Sequence, residues 1–463
     1  YNRWWYNVLW QESRRGTSIM SNTKTVMGQA SNQYVAPTDI TDVFSTYLWS
    51  GTGATQTITN GIDLAGEGGM VWAKSRNNTY KHSLYDTERG TTKNLSTNST
   101  ASEVVETGVT SFNSSGFNIG SWAGINLSGD DVASWTFRKA PKFFDVVTYT
   151  GDGASGRAIA HNLGQKPGMF VVKATSKATN WNVYHRSLGA TKHIFLNLTN
   201  AEATATNKWN DTEPTSTHFT VDTHGDLNTL GSTYIAYLFA HNDGDGEFGP
   251  DADQDIIKCG SYTGNSSGVE IDLGFEPQWF MCKKTNGGSD WQIFDTMRGM
   301  HFNTTTQSVR LSPNTSGAET SQLIIGPSPT GVSIPDASDS VNISGGTYIY
   351  MAIRRGPLAQ PESGTEVFAI DASPNSSFPV YEAGFPVDLG IRRYDYPSSG
   401  NSYFVGDRLR GANRLITNLT NAEASTTDVA FDSQVGWWTQ PENSTSISWM
   451  WKRAPGFCDV VAY

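Results

Sequence analysis

Ser134-Trp135-Thr136-Phe137-Arg138-Lys139-Ala140-Pro141 leads into Phe144-Asp145-Val146-Val147-Thr148-Tyr149, and Ser448-Trp449-Met450-Trp451-Lys452-Arg453-Ala454-Pro455 leads into Phe457-Cys458-Asp459-Val460-Val461-Ala462-Tyr463. A passage that returns in this form marks an array of similar modules. Other markers follow the same period. An Asp-x-x-Arg-Gly corner stands at Asp86 to Gly90, Asp295 to Gly299 and Asp407 to Gly411, and has decayed to His185-Arg186-Ser187-Leu188-Gly189 in the second copy. The spacing of these corners is that of one small domain each, on the order of 100 residues. Leu198-Thr199-Asn200-Ala201-Glu202-Ala203 returns as Leu419 to Ala424, and Tyr149-Thr150-Gly151 returns as Tyr262-Thr263-Gly264.

The period divides the chain into an N-terminal aromatic arm (1–40), modules at 41–141, 142–255, 256–360 and 361–455, and the start of a further module at 456–463. Strand signals dominate each module. Met70-Val71-Trp72-Ala73-Lys74, Phe170-Val171-Val172-Lys173 and Trp279-Phe280-Met281-Cys282-Lys283 are short apolar runs ending in lysine, as expected of central strands whose ends reach solvent. Trp181-Asn182-Val183-Tyr184 and Trp291-Gln292-Ile293-Phe294 alternate, which predicts one wet and one dry face. Short strands separated by Gly- and Asn-rich turns predict an all-β protein. The expected form is a tandem array of about four jelly-roll-like β-sandwiches behind an anchoring arm, held in direct contact by short joints.

Composition narrows the function. The 463 residues are 37% hydrophobic and only 17% charged, with a net charge of −11. The surface is therefore covered by uncharged polar groups, and the clustered Lys and Arg that nucleic acid requires are missing. Cys259, Cys282 and Cys458 are too few for a disulfide framework and suit a reducing compartment. No stretch has the roughly 20 apolar residues of a membrane span.

Three groups of residues are candidate sites. Trp4, Trp5, Tyr6 and Trp10 form an apolar cluster that must be covered, either by the first module or by a partner assembly to which they anchor the chain. Trp181, Trp291, Trp437 and Trp438 stand among Asn, Asp and Gln, a mixture that stacks on and hydrogen-bonds sugars, though such aromatics also fill sandwich cores. Asp243, Asp245 and Glu247 alternate at the joint of modules two and three, where they are a weak candidate for calcium or simply a solvated turn. No other cofactor is expected. No nucleophile elbow, phosphate loop or paired catalytic carboxylates stand out, and the corner aspartate reads as a turn-fixing partner of its arginine; no enzymatic activity is expected.

Ile58-Thr59-Asn60-Gly61-Ile62-Asp63-Leu64, Trp135 to Pro141, Val183 to Gly189 and Asp255 to Gly264 resemble the repeat module of virion-associated proteins of marine tailed phages, of the cyanophage type. The resemblance covers nearly all of the chain after residue 40. It carries no catalytic or binding residues across, because that module is itself of unknown function. It implies a virion protein made in the host bacterial cytoplasm: a tail fibre or appendage, attached to other virion proteins through its N-terminus and presenting sandwiches to a host-surface glycan or protein receptor. A homo-oligomer is expected, with a trimer favoured. A head fibre or capsid decoration protein, and a glycan-binding or polysaccharide-degrading appendage, remain the alternatives.

Overall fold

The returning passage is the closing strand of a sheet. A computed structural model describes residues 38–461, apart from 303–306, 373, 395–401, 427–428 and 440–445. In it, Asp131–Arg138 lies between the opening strand Phe44–Ser50 and the central strand Gly69–Ser75. Ser83–Asp86, Gly90–Leu95 and Val104–Val105 continue this antiparallel six-stranded sheet. A smaller sheet of Gln56–Thr59, Gly116–Ile119 and Val109–Asn113 covers one face. The same strand order returns in the sheets opened by Phe144–Thr150, Ile257–Thr263 and Phe368–Asp371, and each large sheet has its own small partner. The chain is all-β, an array of four sandwiches.

The opening Tyr-Thr-Gly has a steric cause. A Cβ on Gly51, Gly151 or Gly264 would lie 2.1, 2.2 and 2.4 Å from the carbonyl oxygens of Leu127, Thr229 and Ile343. Beside each glycine a buried asparagine (Asn126, Asn228, Asn342) accepts the amide of Thr52, Asp152 or Asn265 at 2.8 to 3.0 Å. This recurring Asn-x-x-Gly pins the opening loop to the closing strand in three sandwiches.

Direct contact between modules takes the form of a closed ring rather than a line. The first three large sheets turn their second faces toward one shared core. Met70, Trp72, Trp135 and Phe137 meet Met169, Val171, Tyr237 and Phe239 from the second sandwich and Trp279, Met281, Met351 and Ile353 from the third. Phe137 touches both neighbours, its aromatic centroid 5.4 Å from Phe239 and 6.3 Å from Trp279. Burial of such side chains is worth about 1.5–3 kcal/mol each. The order outward is therefore shared core, large sheets, small sheets. It explains why Gly69–Ser75 and Met169–Ala174 are buried at every residue.

Two local expectations change as a result. Lys74, Lys173 and Lys283 do not reach solvent; they are fully buried. Each ammonium bonds the carbonyl of the next residue, Lys74 Nζ to Ser75 at 2.6 Å, Lys173 Nζ to Ala174 at 2.8 Å and Lys283 Nζ to Lys284 at 2.5 Å. Nor do Asn182–His185 and Gln292–Asp295 have a wet face, for all their residues are buried. Their polar members are paired instead: Asn182 Oδ1 accepts Lys208 Nζ, and Gln292 Oε1 accepts Arg310 Nη1 at 2.7 Å.

The chain enters and leaves the ring at one point. Asp39 caps the turn Ile40–Val43, and its Oδ2 also accepts the amides of Leu358 and Ala359 at 2.8 and 3.0 Å. The fourth sandwich has a separate core of Val380, Tyr381, Val387, Trp437 and Met450. It rests on the first and third through Arg76–Asp432 at 2.7 Å and Arg453–Glu276 at 2.6 Å.

Candidate functional site

Three sets of bonds close the ring, and each runs once around it. In the first, Tyr237 of the second sandwich donates its hydroxyl to Asp86 Oδ2 of the first at 2.8 Å. Trp135 of the first donates Nε1 to Asp295 Oδ2 of the third at 3.0 Å. Between second and third, His185 Nε2 lies 3.1 Å from the Tyr350 carbonyl. In the second set, Trp181 Nε1 donates to Ser96 O, Trp291 Nε1 donates to Phe195 O, and His82 Nε2 contacts Ser312 O, all at 2.9 to 3.1 Å. In the third, the amides of Glu103, Glu202 and Glu319 donate to the carbonyls of Thr175, Thr285 and Arg76 at 2.7 to 2.9 Å.

The Asp-x-x-Arg-Gly corner is therefore both a turn and a docking point. Asp86 and Asp295 each accept the arginine's amide on Oδ1 at 2.9 Å and its Nε on Oδ2 at 2.6 Å, and Oδ2 also takes the donor of the neighbouring sandwich. Arg89 and Arg298 are buried beside them. Burial raises the Tyr237 phenol well above its ordinary pKa, so it remains a donor for Asp86. In the second corner, histidine replaces aspartate and Leu188 replaces arginine. The ring Nδ1 accepts the Ser187 amide at 3.2 Å, which leaves Nε2 as the N–H facing Tyr350. Burial lowers the His185 pKa to about 4, so the imidazole stays neutral where a lone carboxylate would be costly.

Between the ring and the fourth sandwich lies a cleft of about 700 Å³. Tyr47, Trp49, Arg76, Arg298, His301 and Phe378 contribute to its walls. Arg76 bonds both oxygens of Glu319, at 3.0 and 2.9 Å, and reaches Asp432 at 2.7 Å. Arg298 Nη1 stands 3.6 Å from Glu319 Oε2 and makes no hydrogen bond among the described residues. His301 Nδ1 is likewise without a partner there, and burial lowers its pKa. Guanidinium groups beside aromatic faces can receive a carboxylate or a sugar hydroxyl. Sequence reasoning missed this cleft because Arg76, Glu319 and Asp432 come from three different sandwiches, and the corner residues that also line it, Arg298 and Arg408 among them, read only as parts of a turn.

The candidate residues fall in several places. Trp4, Trp5, Tyr6 and Trp10 lie outside the described residues. Trp181, Trp291 and Trp437 are not sugar platforms: they are almost wholly buried, and their indole N–H groups are taken by Ser96, Phe195 and Ser448. Trp438 is half-buried against the fourth core. At the acidic joint, Glu247 pairs with Lys142 Nζ at 2.7 Å and Asp245 accepts the Asp243 amide at 2.9 Å. No group of three or more His, Cys, Asp or Glu side chains placed to hold a metal occurs among the described residues. No helix among them is long and apolar enough to cross a membrane.

Residues 39–357 match a family described only as a domain of unknown function, DUF7483, and the chain belongs to that family. The matched stretch is the three-sandwich ring, from the Asp39 cap to the point where the chain returns to it. No curated protein and no solved structure matches the chain.

Proposed function

We propose that the chain is a structural component of a tailed-phage virion, a tail fibre or similar appendage whose sandwiches serve host-surface adhesion. The observation that carries this reading is the ring itself. Three modules stitched around one apolar core make a rigid body, while their small sheets and loops are turned outward. Such a body holds its shape under load and offers a large polar, weakly charged surface. The role of the aromatic arm in attachment to the particle is part of the same proposal. Gold-labelled antibody raised against residues 39–357 should decorate intact particles at one appendage. Particles that carry no label, with the protein found only in the lysate, refute the assignment.

A further inference from the structure

The fourth sandwich displays the face that the first three hide. In the first, Phe44, Met70, Trp72, Leu95, Trp135 and Phe137 point into the shared core. Strand pairing places Phe368, Leu389, Ile391, Leu415, Trp449 and Trp451 at the same positions of the fourth large sheet. None of these six is buried, and Leu415 is 39% exposed. They stand on the opposite side of the sheet from the fourth core, to which Met450 between the two tryptophans belongs. An aromatic face of this kind requires a cover.

The joint that follows says what kind. After the first sandwich, Ala140 N bonds Phe144 O at 2.9 Å and Phe143 N bonds Ala140 O at 3.2 Å. After the fourth, Ala454 N bonds Cys458 O at 3.0 Å and Phe457 N bonds Ala454 O at 3.2 Å. Lys142 and Gly456 share the left-handed backbone, with φ of 61° and 72°. Lys139 reaches Asp145 at 3.6 Å as Arg453 reaches Asp459 at 2.9 Å. Asp145 and Asp459 each accept the amide of the following valine, at 2.9 and 3.0 Å. The first joint delivers the opening strand of a neighbour that covers Phe137, and the second is built the same way. The docking groups are present too. Asp407 accepts only Arg410 among the described residues, and the Glu423 amide, equivalent to that of Glu202, meets no other sandwich there.

We propose that the fourth sandwich is one third of a second ring, and that its face is covered by two further sandwiches of this kind, joined to it through Asp459-Val460-Val461. Three copies of the chain would close such a ring with their fourth sandwiches only by moving residues 458–461: the shared joint sets these where residues 144–147 stand after the first sandwich, the place of the next module's opening strand and so of a neighbouring copy's Phe368–Asp371. The natural protein, analysed by intact mass and cryo-EM, should continue beyond residue 463 by about 200 residues, two modules of this period, and should bury Trp449 and Trp451. A natural polypeptide that ends near residue 463 overturns the proposal. In the 463-residue chain, changing Trp449 and Trp451 to Phe should lower the acrylamide-quenchable share of the fluorescence. A discrete trimer that shields both tryptophans from acrylamide gives the face to copies of the chain and also overturns the proposal.

Discussion

Asp295→Asn tests whether the three sandwiches are one body. The Asp295 carboxylate is fully buried and accepts three donors: Arg298 N, Arg298 Nε and, from another sandwich, Trp135 Nε1. The amide keeps the volume but turns an N–H₂ toward one of those donors and takes from the buried Arg298 its hydrogen-bonded counter-ion, leaving only Glu319 at 3.6 Å. Breaking a buried ion pair in this way costs about 3–5 kcal/mol. Over the roughly 320 residues of the ring, an unfolding entropy of about 2.1 cal/mol/K per residue makes 4 kcal/mol worth about 6 °C. Scanning calorimetry should show one ring transition, lowered as a whole. Trp135→Phe, which removes only the donor, should cost about 1–3 kcal/mol and couple to Asp295→Asn by at least 0.5 kcal/mol in a double-mutant cycle. Asp407→Asn is the internal control, since that corner docks no sandwich among the described residues; it should leave the ring transition in place. If Asp295→Asn splits off one module's transition while the others melt unchanged, the shared-core reasoning is wrong.

Three further outcomes follow from the same packing. His185, His193 and His241 have folded-state pKa values lowered to about 4, chiefly by burial, against 6.5 when unfolded. The unfolded chain therefore binds more protons between these values, so stability is complete above pH 6.5 and falls toward pH 4, by about 3 kcal/mol for the buried His185. Urea unfolding across that range should show the loss, and His185→Gln, which keeps a donor for Tyr350, should make it shallower. Gly151→Ala sets a methyl 2.2 Å from Thr229 O and should cost roughly 2–4 kcal/mol by thermal denaturation, far more than a surface Gly→Ala. Val171→Ile adds one methylene at an apolar cavity of about 20 Å³ on the ring's inner wall and should stabilise by about 0.5–1 kcal/mol, read as an upward shift in urea midpoint.

The period, the all-β class and the corners were legible because each is written several times in the sequence. What one module does to another was not. Lys74, Lys173 and Lys283 look like strand ends that reach water, because an apolar run followed by lysine ordinarily ends that way. Only the second buried face, supplied by sandwiches about 100 and 200 residues away, puts them inside. Trp181 and Trp291 resemble sugar platforms for the same reason, since the carbonyls that take their N–H groups belong to Ser96 and Phe195 of other modules. The Asn-x-x-Gly of residues 126, 228 and 342 was a readable signal, and the glycine opening each of the first three modules was its steric counterpart. The cleft between Arg76, Glu319 and Asp432 was not legible, since these three come from different modules and meet only in the folded chain.

The decayed corner also carries information about order. At the first and third corners a carboxylate waits for a donor, and Tyr237 or Trp135 supplies it. At the second, His185 is itself the donor and a main-chain carbonyl receives it. A closing strand bearing a tryptophan N–H, as the first sandwich's does, would present a donor to a donor there, so the second sandwich refuses the partner that the third accepts. Modules alike enough to exchange places are thereby given a sense of direction. A ring that mixed modules from two chains, or closed in the reverse sequence, would meet a mismatch at this one residue. The single copy that lost the repeat's signature is the one that tells the chain where to begin counting.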